Sequence, residues 1–167
     1  GWDAAWNANL VADAAALRLT DLAVELCVRI EAAPATSAIY TLITKGYINS
    51  TDKANYFIKY LNTAGVYYIK AGFYTAAASL QELTATQTLT VGAWYSVALV
   101  YNQTSKLMEI LLAARETPGG AVVGSYTTIA TSTLGAVTPN NAGTQPLLVG
   151  IDFESNSYER GATASVS

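Results

Sequence analysis

The stretch LAVELCVRIE, residues 22–31, decides the fold because its side chains alternate strictly between two kinds. Even-numbered positions from Leu22 to Ile30 are all large and apolar, whereas the odd-numbered positions include Glu25 and Arg29. A β-strand turns successive side chains to opposite faces of its sheet. An alternation maintained through ten residues therefore predicts a half-buried strand.

Similar strand-like runs follow along the rest of the chain. They are IYTLITKG at 39–46, NYFIKYLNTAGVYYIKAGFY at 55–74, LTATQTLTVGAWYSVALVYNQTSKLMEILLAA at 83–114, AVVGSYTTIA at 121–130, QPLLVGIDF at 145–153 and GATASVS at 161–167. The NTAG at 62–65 has the composition of a hairpin turn, which predicts an antiparallel pair on either side of it. Roughly ten short strands without an interior helix predict an all-β, antiparallel jelly-roll sandwich.

The run that follows Gly92 is apolar on both faces, as a central strand of a sandwich is. With Leu26 of the first strand, the residues predicted to lie in the core are Trp94, Val97, Leu99 and Tyr101. The segment 135–146, GAVTPNNAGTQP, is dense in Gly, Pro and Asn and is predicted to be a loop.

The composition indicates one domain with an unusually neutral surface. A chain of 167 residues can bury about 68–70% of its unfolded surface in one core. Charged residues make up only 13% of it, against about 25% in an average protein, which suits a protein that lies against neighbours. The net charge of −3 and nine scattered basic residues offer no stripe that could neutralise phosphates, so nucleic-acid binding is not expected.

Scarce residue types exclude several classes of chemistry. The sequence contains no histidine, which removes Ser-His and Cys-His nucleophiles and histidine-ligated metals. Cys27 is the single cysteine and cannot form an internal disulfide. No run approaches the ~18 apolar residues of a membrane span. The segment GWDAAWNANL, residues 1–10, lacks the basic start and apolar core of a signal peptide.

The first 17 residues follow a different pattern from the rest of the chain. The residues that recur there at helical spacing are Trp2, Trp6, Leu10, Ala14 and Leu17. Residues 1–17 are therefore expected to form a short helical arm or a first strand, and residues 18–167 a single lectin-like sandwich. Trp2, Trp6 and Leu10 would give such an arm an apolar surface for a partner. The alternative is that both tryptophans plug one end of the sandwich.

Several segments, in order, resemble the laminin-G-like branch of the concanavalin A-like lectin and glucanase superfamily. The segments that carry the resemblance are LAVELCVRIEA, LITKG followed by NYFIKYL, VGAWYSVALVYNQTSKLMEILL, and PLLVGID followed by ERGATASVS. They lie within residues 14–167, the span to which the resemblance applies. The resemblance implies a jelly-roll fold and leaves the function open. Two departures argue against lectin-like calcium binding: LLAARE replaces the family's Asn-Gly, and GATASVS replaces an acidic final strand.

The resemblance also implies where a catalytic motif would lie. The glucanase branch carries Glu, Asp and Glu at alternate positions of one strand as nucleophile, orienting aspartate and general acid. The matching positions here are Gly150, Asp152 and Glu154. A glycine cannot act as nucleophile, and retaining hydrolysis requires two carboxyl groups about 5–5.5 Å apart. We therefore expect no enzymatic activity and interpret Asp152 and Glu154 as the solvated end of a strand.

Oxygen-bearing side chains in one loop raise the question of calcium, which takes about six to eight oxygen ligands. The loop GYINSTDKAN, residues 46–55, offers Asn49, Asp52 and Asn55, which could join Asp152. One carboxylate per loop is a weak ligand set. No cofactor is therefore expected, and calcium at these four residues is the alternative.

Tyrosines are the main resource for sugar binding, because an amphipathic ring can stack on the face of a sugar. The sequence has eleven of them. Tyr47, Tyr68 and Tyr74 are the candidates for glycan contact. The alternative for each is packing within a sheet or in a protein interface.

Two functions fit these observations. The leading hypothesis is a non-enzymatic structural module on a bacteriophage virion surface, a capsid decoration or fibre-associated protein. Its partners would be its own copies or capsid and tail proteins, since obligate interfaces are depleted in charge and use aromatic anchors. The alternative is a carbohydrate-binding, lectin-like module of a secreted or cell-surface bacterial protein. The expected location is the virion surface or, for the alternative, the outside of a cell.

Overall fold

The computed structural model describes residues 10–12, 14–46, 54–118, 120–154, 157–160 and 164–166, with the backbone alone for 10–11 and from 151 onward. Within these residues the chain forms thirteen strands. They are β1 (Leu10–Val11), β2 (Leu22–Ile30), β3 (Ile39–Lys45), β4 (Tyr56–Thr63), β5 (Val66–Tyr74), β6 (Leu80–Thr86), β7 (Trp94–Asn102), β8 (Leu107–Arg115), β9 (Val122–Thr133), β10 (Leu147–Val149), β11 (Ile151–Glu154), β12 (Ser157–Arg160) and β13 (Ala164–Val166).

The strands form two antiparallel sheets that pack as a sandwich. The six-stranded sheet has the order β1-β10-β3-β4-β5-β6, and the five-stranded sheet has the order β13-β2-β7-β8-β9. The strands β11 and β12 form a separate antiparallel pair. The all-β jelly-roll sandwich predicted from the sequence is confirmed. In the part of the chain that the structure describes, no helix is long and apolar enough to cross a bilayer.

The core lies between the two sheets and follows the alternation of β2. Its even positions, from Leu22 to Ile30, are at most 8% exposed and face the six-stranded sheet. Tyr101 of β7 joins the two sheets, because its ring centroid lies 4.9 Å from that of Phe73 on β5. The Tyr101 hydroxyl donates to the carbonyl of Val137 at 2.9 Å. The other large residues of the core are Tyr40, Leu42, Tyr56, Ile58, Tyr60, Ile69, Leu99, Met108 and Ile110.

The prediction that Trp94 belongs to the core is wrong. Val97, Leu99 and Tyr101 are at most 1% exposed, but Trp94 has the opposite parity on the same strand. Its side chain therefore lies on the outward face, only half-buried, with the Arg29 guanidinium 5.4 Å from the ring centroid. A strand places successive residues on opposite faces, so Trp94 cannot face the core together with Val97.

The hairpin between β4 and β5 matches the turn predicted from NTAG. Ala64 and Gly65 have φ values of 52° and 86°, as a two-residue hairpin turn of type I′ requires at both central positions. Asn62 fixes the turn, because its Oδ1 accepts the Gly65 N–H at 2.8 Å and its Nδ2 donates to the carbonyl of Pro34 at 2.9 Å. The turn sets the register that directs each side chain of β5 inward or outward.

The N-terminal segment differs from the predicted helix where the structure describes it. Leu10 and Val11 form β1 and pair with Leu148 and Leu147 of β10, and Ala15–Leu17 form a single 3-10 turn. The described residues therefore fit the expectation of a first strand, at Leu10–Val11, and not that of a helical arm. A short isolated helix is only marginally stable in water. Pairing with β10 instead gives the backbone N–H and C=O groups of this segment hydrogen-bond partners in a sheet. Trp2 and Trp6 lie outside the described residues.

Candidate functional site

The outward face of the six-stranded sheet brings together two of the tyrosines predicted to contact glycan. On β5 the odd residues Ile69, Ala71 and Phe73 are completely buried in the core, so the even residues lie on the outward face. Tyr68 and Tyr74 therefore share this face, separated by six residues of strand, or about 20 Å. Tyr47 lies outside the described residues.

Side chains of the neighbouring strand β6 complete this surface. Tyr68 is paired with Thr86, Lys70 with Thr84, and Gly72 with Glu82, and directly opposed residues of antiparallel strands lie on the same face. Leu80 lies opposite Tyr74 at the edge of the sheet. We call the surface formed by Tyr68, Lys70, Tyr74, Glu82, Thr84 and Thr86 the tyrosine face.

An ion pair lies between the two tyrosines. The Lys70 ammonium donates to the Glu82 carboxylate at 2.8 Å, with the two side chains 33% and 24% exposed. An exposed pair of this kind stabilises the fold by only about 0–1 kcal/mol. The ion pair matters more for binding than for stability, because it holds a charged hydrogen-bond donor and a charged acceptor in fixed positions on the surface. Lys59 of β4 lies opposite Lys70 but is 7% exposed, with its ammonium 5.9 Å from the Phe57 ring.

The two tyrosines have different surroundings. Tyr74 packs against Phe57 and Ala54, and burial, with a further contribution from the charge of Glu82, raises its pKa. Its hydroxyl therefore stays protonated at neutral pH and can donate a hydrogen bond. Tyr68 lies opposite Leu61, which in turn lies opposite Ile39. Because Ile39 is 45% exposed, the Tyr68 end of the tyrosine face borders on an apolar surface.

A second polar group, on the outward face of the five-stranded sheet, was not predicted from the sequence. Glu25 Oε1 accepts hydrogen bonds from Ser96 Oγ at 2.7 Å, from Arg115 Nη2 at 2.8 Å and from the Tyr126 hydroxyl. Arg115 also donates to Ser96 Oγ and to the carbonyl of Gly120. We call Glu25, Ser96, Arg115 and Tyr126 the Glu25 cluster. Tyr126 is on β9 and Glu25 on β2, so their hydrogen bond spans the two intervening strands.

The Glu25 cluster covers a layer of small side chains. Ser96, Ala98 and Ala113 lie on the outward face, yet they are 0%, 6% and 4% exposed, because the longer side chains of the cluster lie over them. The arginine is largely buried, with 17% of its side chain exposed, and its donors are engaged within the fold. The cluster therefore ties four strands together, and we assign it a structural role.

Neutralising Glu25 is expected to change how stability depends on pH. The hydrogen bond from Tyr126, supported by those from Ser96 and Arg115, lowers the pKa of Glu25 against the opposing effect of burial. A carboxyl whose pKa is lower in the folded state stabilises the fold above its unfolded pKa and loses this contribution as the pH falls through the folded pKa. The stability difference between wild type and Glu25→Gln should therefore be larger at pH 7 than at pH 3, as urea denaturation can measure.

Tyr126→Phe is the matched control, because it removes the largest cause of the lowered pKa and keeps the ring. The pH dependence attributed to Glu25 should be smaller in this variant than in wild type. An unchanged stability difference between wild type and Glu25→Gln from pH 7 to pH 3 would contradict the assignment.

Of the four residues predicted as alternative calcium ligands, Asn49 and Asp52 lie outside the described residues, and Asp152 is described by its backbone alone. Asn55 is 4% exposed, and its amide holds Leu19: Oδ1 accepts the Leu19 N–H at 2.8 Å and Nδ2 donates to the Leu19 carbonyl at 3.0 Å. Its side-chain oxygen is therefore already committed to the fold. The described residues contain no group of three or more Asp, Glu, Cys or His side chains that could hold a metal ion.

The positions matched to a catalytic motif do not lie on one continuous strand. Gly150 has a φ of +70°, and it separates β10 from β11, which contains Asp152 and Glu154. A positive φ turns the chain out of the extended conformation that alternate same-face positions require. In the β11–β12 pair, Asp152 lies opposite Glu159 and Glu154 opposite Ser157. The strand-like run predicted at 145–153 is therefore divided at Gly150 into β10 and β11.

Comparison with known proteins supports the jelly-roll fold. The sequence matches no protein-family model and no curated protein. Two structures of the CBM40 module of the Ruminococcus gnavus IT-sialidase are similar to this chain, one of them bound to alpha2,3 sialyllactose. The bound structure has a TM-score of 0.61 and 14% identity over 89% of this chain and 77% of that chain. The other has a TM-score of 0.61 and 15% identity over 93% and 83%. The likeness is one of fold and agrees with the antiparallel jelly-roll sandwich expected from the sequence.

Proposed function

We propose that this protein is a non-catalytic carbohydrate-binding module that contacts an oligosaccharide through the tyrosine face. The observation that carries the proposal is the placement of Tyr68 and Tyr74 on one outward face, with the Lys70–Glu82 ion pair between them. The fold likeness to a carbohydrate-binding module supports it. This fold likeness favours the carbohydrate-binding module, the alternative function considered from the sequence. The virion-surface hypothesis gains no support from the comparisons.

The chemistry of the tyrosine face suits a polyhydroxylated ligand. Tyrosine rings offer flat apolar surfaces on which a sugar ring can stack, and each carries a hydroxyl for a hydrogen bond. The ammonium of Lys70 and the carboxylate of Glu82 can form charge-assisted hydrogen bonds with sugar hydroxyls, which are stronger than neutral ones. Two rings about 20 Å apart along a strand are farther apart than one monosaccharide can reach. The ligand is therefore an oligosaccharide.

Binding without hydrolysis follows from the carboxylates. Among the described residues of the tyrosine face, Glu82 is the single carboxylate, and it is paired with Lys70. Hydrolysis by the usual route requires two carboxyl groups on either side of the scissile bond. A module that binds glycans of other cells would act outside the cell that makes it, so the location that accompanies this proposal is extracellular.

Alanine substitution of either tyrosine tests the proposal. The wild type is screened on an oligosaccharide array, and α2,3-sialyllactose and lactose are titrated by calorimetry to determine whether an acidic sugar matters. We expect Tyr68→Ala and Tyr74→Ala each to weaken binding of the selected oligosaccharide about tenfold, or about 1.4 kcal/mol, because a stacking surface is lost.

Tyr126→Ala is the matched control, since it removes a tyrosine that is 37% exposed on the outward face of the opposite sheet. Its dissociation constant should equal that of the wild type. Failure of every oligosaccharide to bind, or equal loss of binding in all three variants, would refute the assignment to the tyrosine face.

A further inference from the structure

Among the described residues, β9 is the longest of the four strands at the edges of the two sheets. These edges are β1 and β6 in one sheet, and β13 and β9 in the other. In the part of the chain that the structure describes, β1 spans two residues and β13 three, and β6 has seven with the charged Glu82 among them. The strand β9 has twelve residues and no charged side chain.

Proteins protect edge strands from pairing with other chains by short length, charged side chains, proline or bulges. Residues 117–151 contain no Asp, Glu, Lys or Arg, so β9 lies in a wholly uncharged stretch. It has no proline, and most of its side chains are exposed, including Val123 at 52% and Tyr126 at 37%. Of the protective features of edge strands, β9 has only bulges. They interrupt the pairing with β8 at Ile129 and between Val123 and Thr127.

The residues that follow the Ile129 bulge form a regular edge. Ala130–Thr133 pair with Ile110 through Leu107 without interruption. Thr131 and Thr133 are exposed, and β-branched hydroxyl side chains form favourable cross-strand pairs with one another. A second strand of the same composition would therefore fit beside this one with no charged residue of β9 desolvated and no like charges opposed along the edge. The neighbouring carboxylate, Glu109 of β8, lies opposite Thr131 within the same chain and accepts a hydrogen bond from Thr128.

We infer that β9 is a dimerisation edge, along which a second copy of this chain pairs antiparallel to the first. An uncharged strand is complementary to itself, whereas a charged edge would repel its own copy. Antiparallel pairing of a strand with itself has two-fold symmetry, the commonest symmetry of homo-oligomers, and it closes the assembly at two chains. The product would be a continuous ten-stranded sheet made of two five-stranded sheets.

The dimer would have a consequence for glycan binding, which rests on the proposed function. The two-fold axis of an antiparallel strand pair is perpendicular to the sheet, so the two copies present the same face in the same direction. Both tyrosine faces would then point to one side of the dimer. Two linked sites bind a surface that carries many copies of a glycan more tightly than one site does, by about 10²- to 10⁴-fold when the geometry allows both to engage.

Solution size measurement on edge variants tests the inference. Light scattering and sedimentation equilibrium at 1–100 μM protein, on the order of common interface affinities, should show a wild-type dimer. The variants Thr131→Lys/Thr133→Lys and Thr131→Glu/Thr133→Glu should be monomers, because like charges then face each other along the edge. An equal mixture of the two should return to the dimer, since opposite charges are then paired. Thr86→Lys on edge strand β6 is the control and should remain dimeric.

Three outcomes would overturn the inference: a wild type that is monomeric throughout, a dimer that the Lys variant retains, or a dimer that Thr86→Lys disrupts as strongly as the Lys variant does. Circular dichroism checks that each variant is folded. If the Glu variant fails to fold, the comparison of wild type with the Lys variant decides. The Lys variant should bind a soluble oligosaccharide as the wild type does and an immobilised glycan at least about tenfold more weakly. The scattering result stands even if no glycan binds, so failure of the two proposals can be told apart.

Discussion

Replacing Tyr101 with alanine is expected to lower the free energy of unfolding by about 3–5 kcal/mol, the range for removal of a large aromatic side chain from a core. The ring is 1% exposed and lies against Phe73 of the opposite sheet. Its removal leaves a cavity where the two sheets meet, and it also removes the hydrogen bond to Val137. Urea denaturation followed by circular dichroism measures the change.

Two variants of the same strand separate the causes of this loss. Tyr101→Phe keeps the ring and removes only the hydroxyl, so it should cost about 1 kcal/mol. Trp94→Ala removes a larger side chain from the outward face of β7 and should cost less than half as much as Tyr101→Ala, because Trp94 is only half-buried. A loss for Trp94→Ala equal to that for Tyr101→Ala would mean that the assigned faces of β7 are wrong.

The alternation of side chains in the sequence was sufficient to predict most of the strands. In β2 the large apolar residues at all even positions face the core, although Cys27 on the opposite face is buried as well. The hairpin of β4 and β5 was also predictable, since its turn depends on a local Asn and Gly. These features depend on interactions between residues that are close in the sequence, or on a single strand's own pattern.

The error at Trp94 shows where pattern alone is insufficient. The strand β7 is central, so it is apolar on both faces, and its alternation does not distinguish inward from outward residues. Hydrophobicity alone groups Trp94 with Val97, although one is at an even and the other at an odd position of the strand. Only the register with β2, in which Arg29 lies opposite Trp94, shows that the tryptophan is on the face where the arginine can contact it.

The Glu25 cluster could not be predicted, because it depends on the order of strands in the sheet. Glu25 and Tyr126 are 101 residues apart in the sequence. Their hydrogen bond requires β9 to be the third strand from β2, and the sequence carries no local pattern that fixes this order. A glutamate at an outward position of an apolar strand indicates at most that some partner covers or solvates it.

For the candidate site, the odd or even position of each tyrosine along its strand would have narrowed the choice of tyrosines predicted to contact glycan. Seven tyrosines lie in the first half of the sequence, among similar neighbours, but Tyr56 and Tyr60 are 3% and 1% exposed and belong to the core. Tyr68 and Tyr74 lie at positions of β5 with the parity of Lys70, a residue expected to face outward. The shared face could thus have been found from the sequence, whereas the ion pair with Glu82 required the register of β6.

Gly72→Ala is expected to destabilise the fold by about 1–3 kcal/mol, the usual cost of overpacking. A methyl group at this position would lie far inside van der Waals contact with the backbone carbonyl oxygen of Gln81 and 3.0 Å from the Cα of Glu82. Backbone atoms cannot turn aside as a side chain can, so β6 would have to move away from β5. Replacing glycine also restricts the unfolded chain, which stabilises by about 0.4–1 kcal/mol, and the steric cost is the larger of the two. Urea denaturation measures the sum.

Gly135→Ala is the matched control, because no heavy atom lies within 4 Å of a Cβ placed there. It should leave stability unchanged or raise it by about 0.4–1 kcal/mol. Gly72→Ala should also weaken oligosaccharide binding, since a displaced β6 carries Glu82 and Thr84 away from Lys70. Stability equal to that of the parent would contradict the close approach of β5 and β6 at Gly72. Reduced stability with unchanged binding would instead mean that β6 contributes nothing to the tyrosine face, and that the tyrosines of β5 bind the ligand without it.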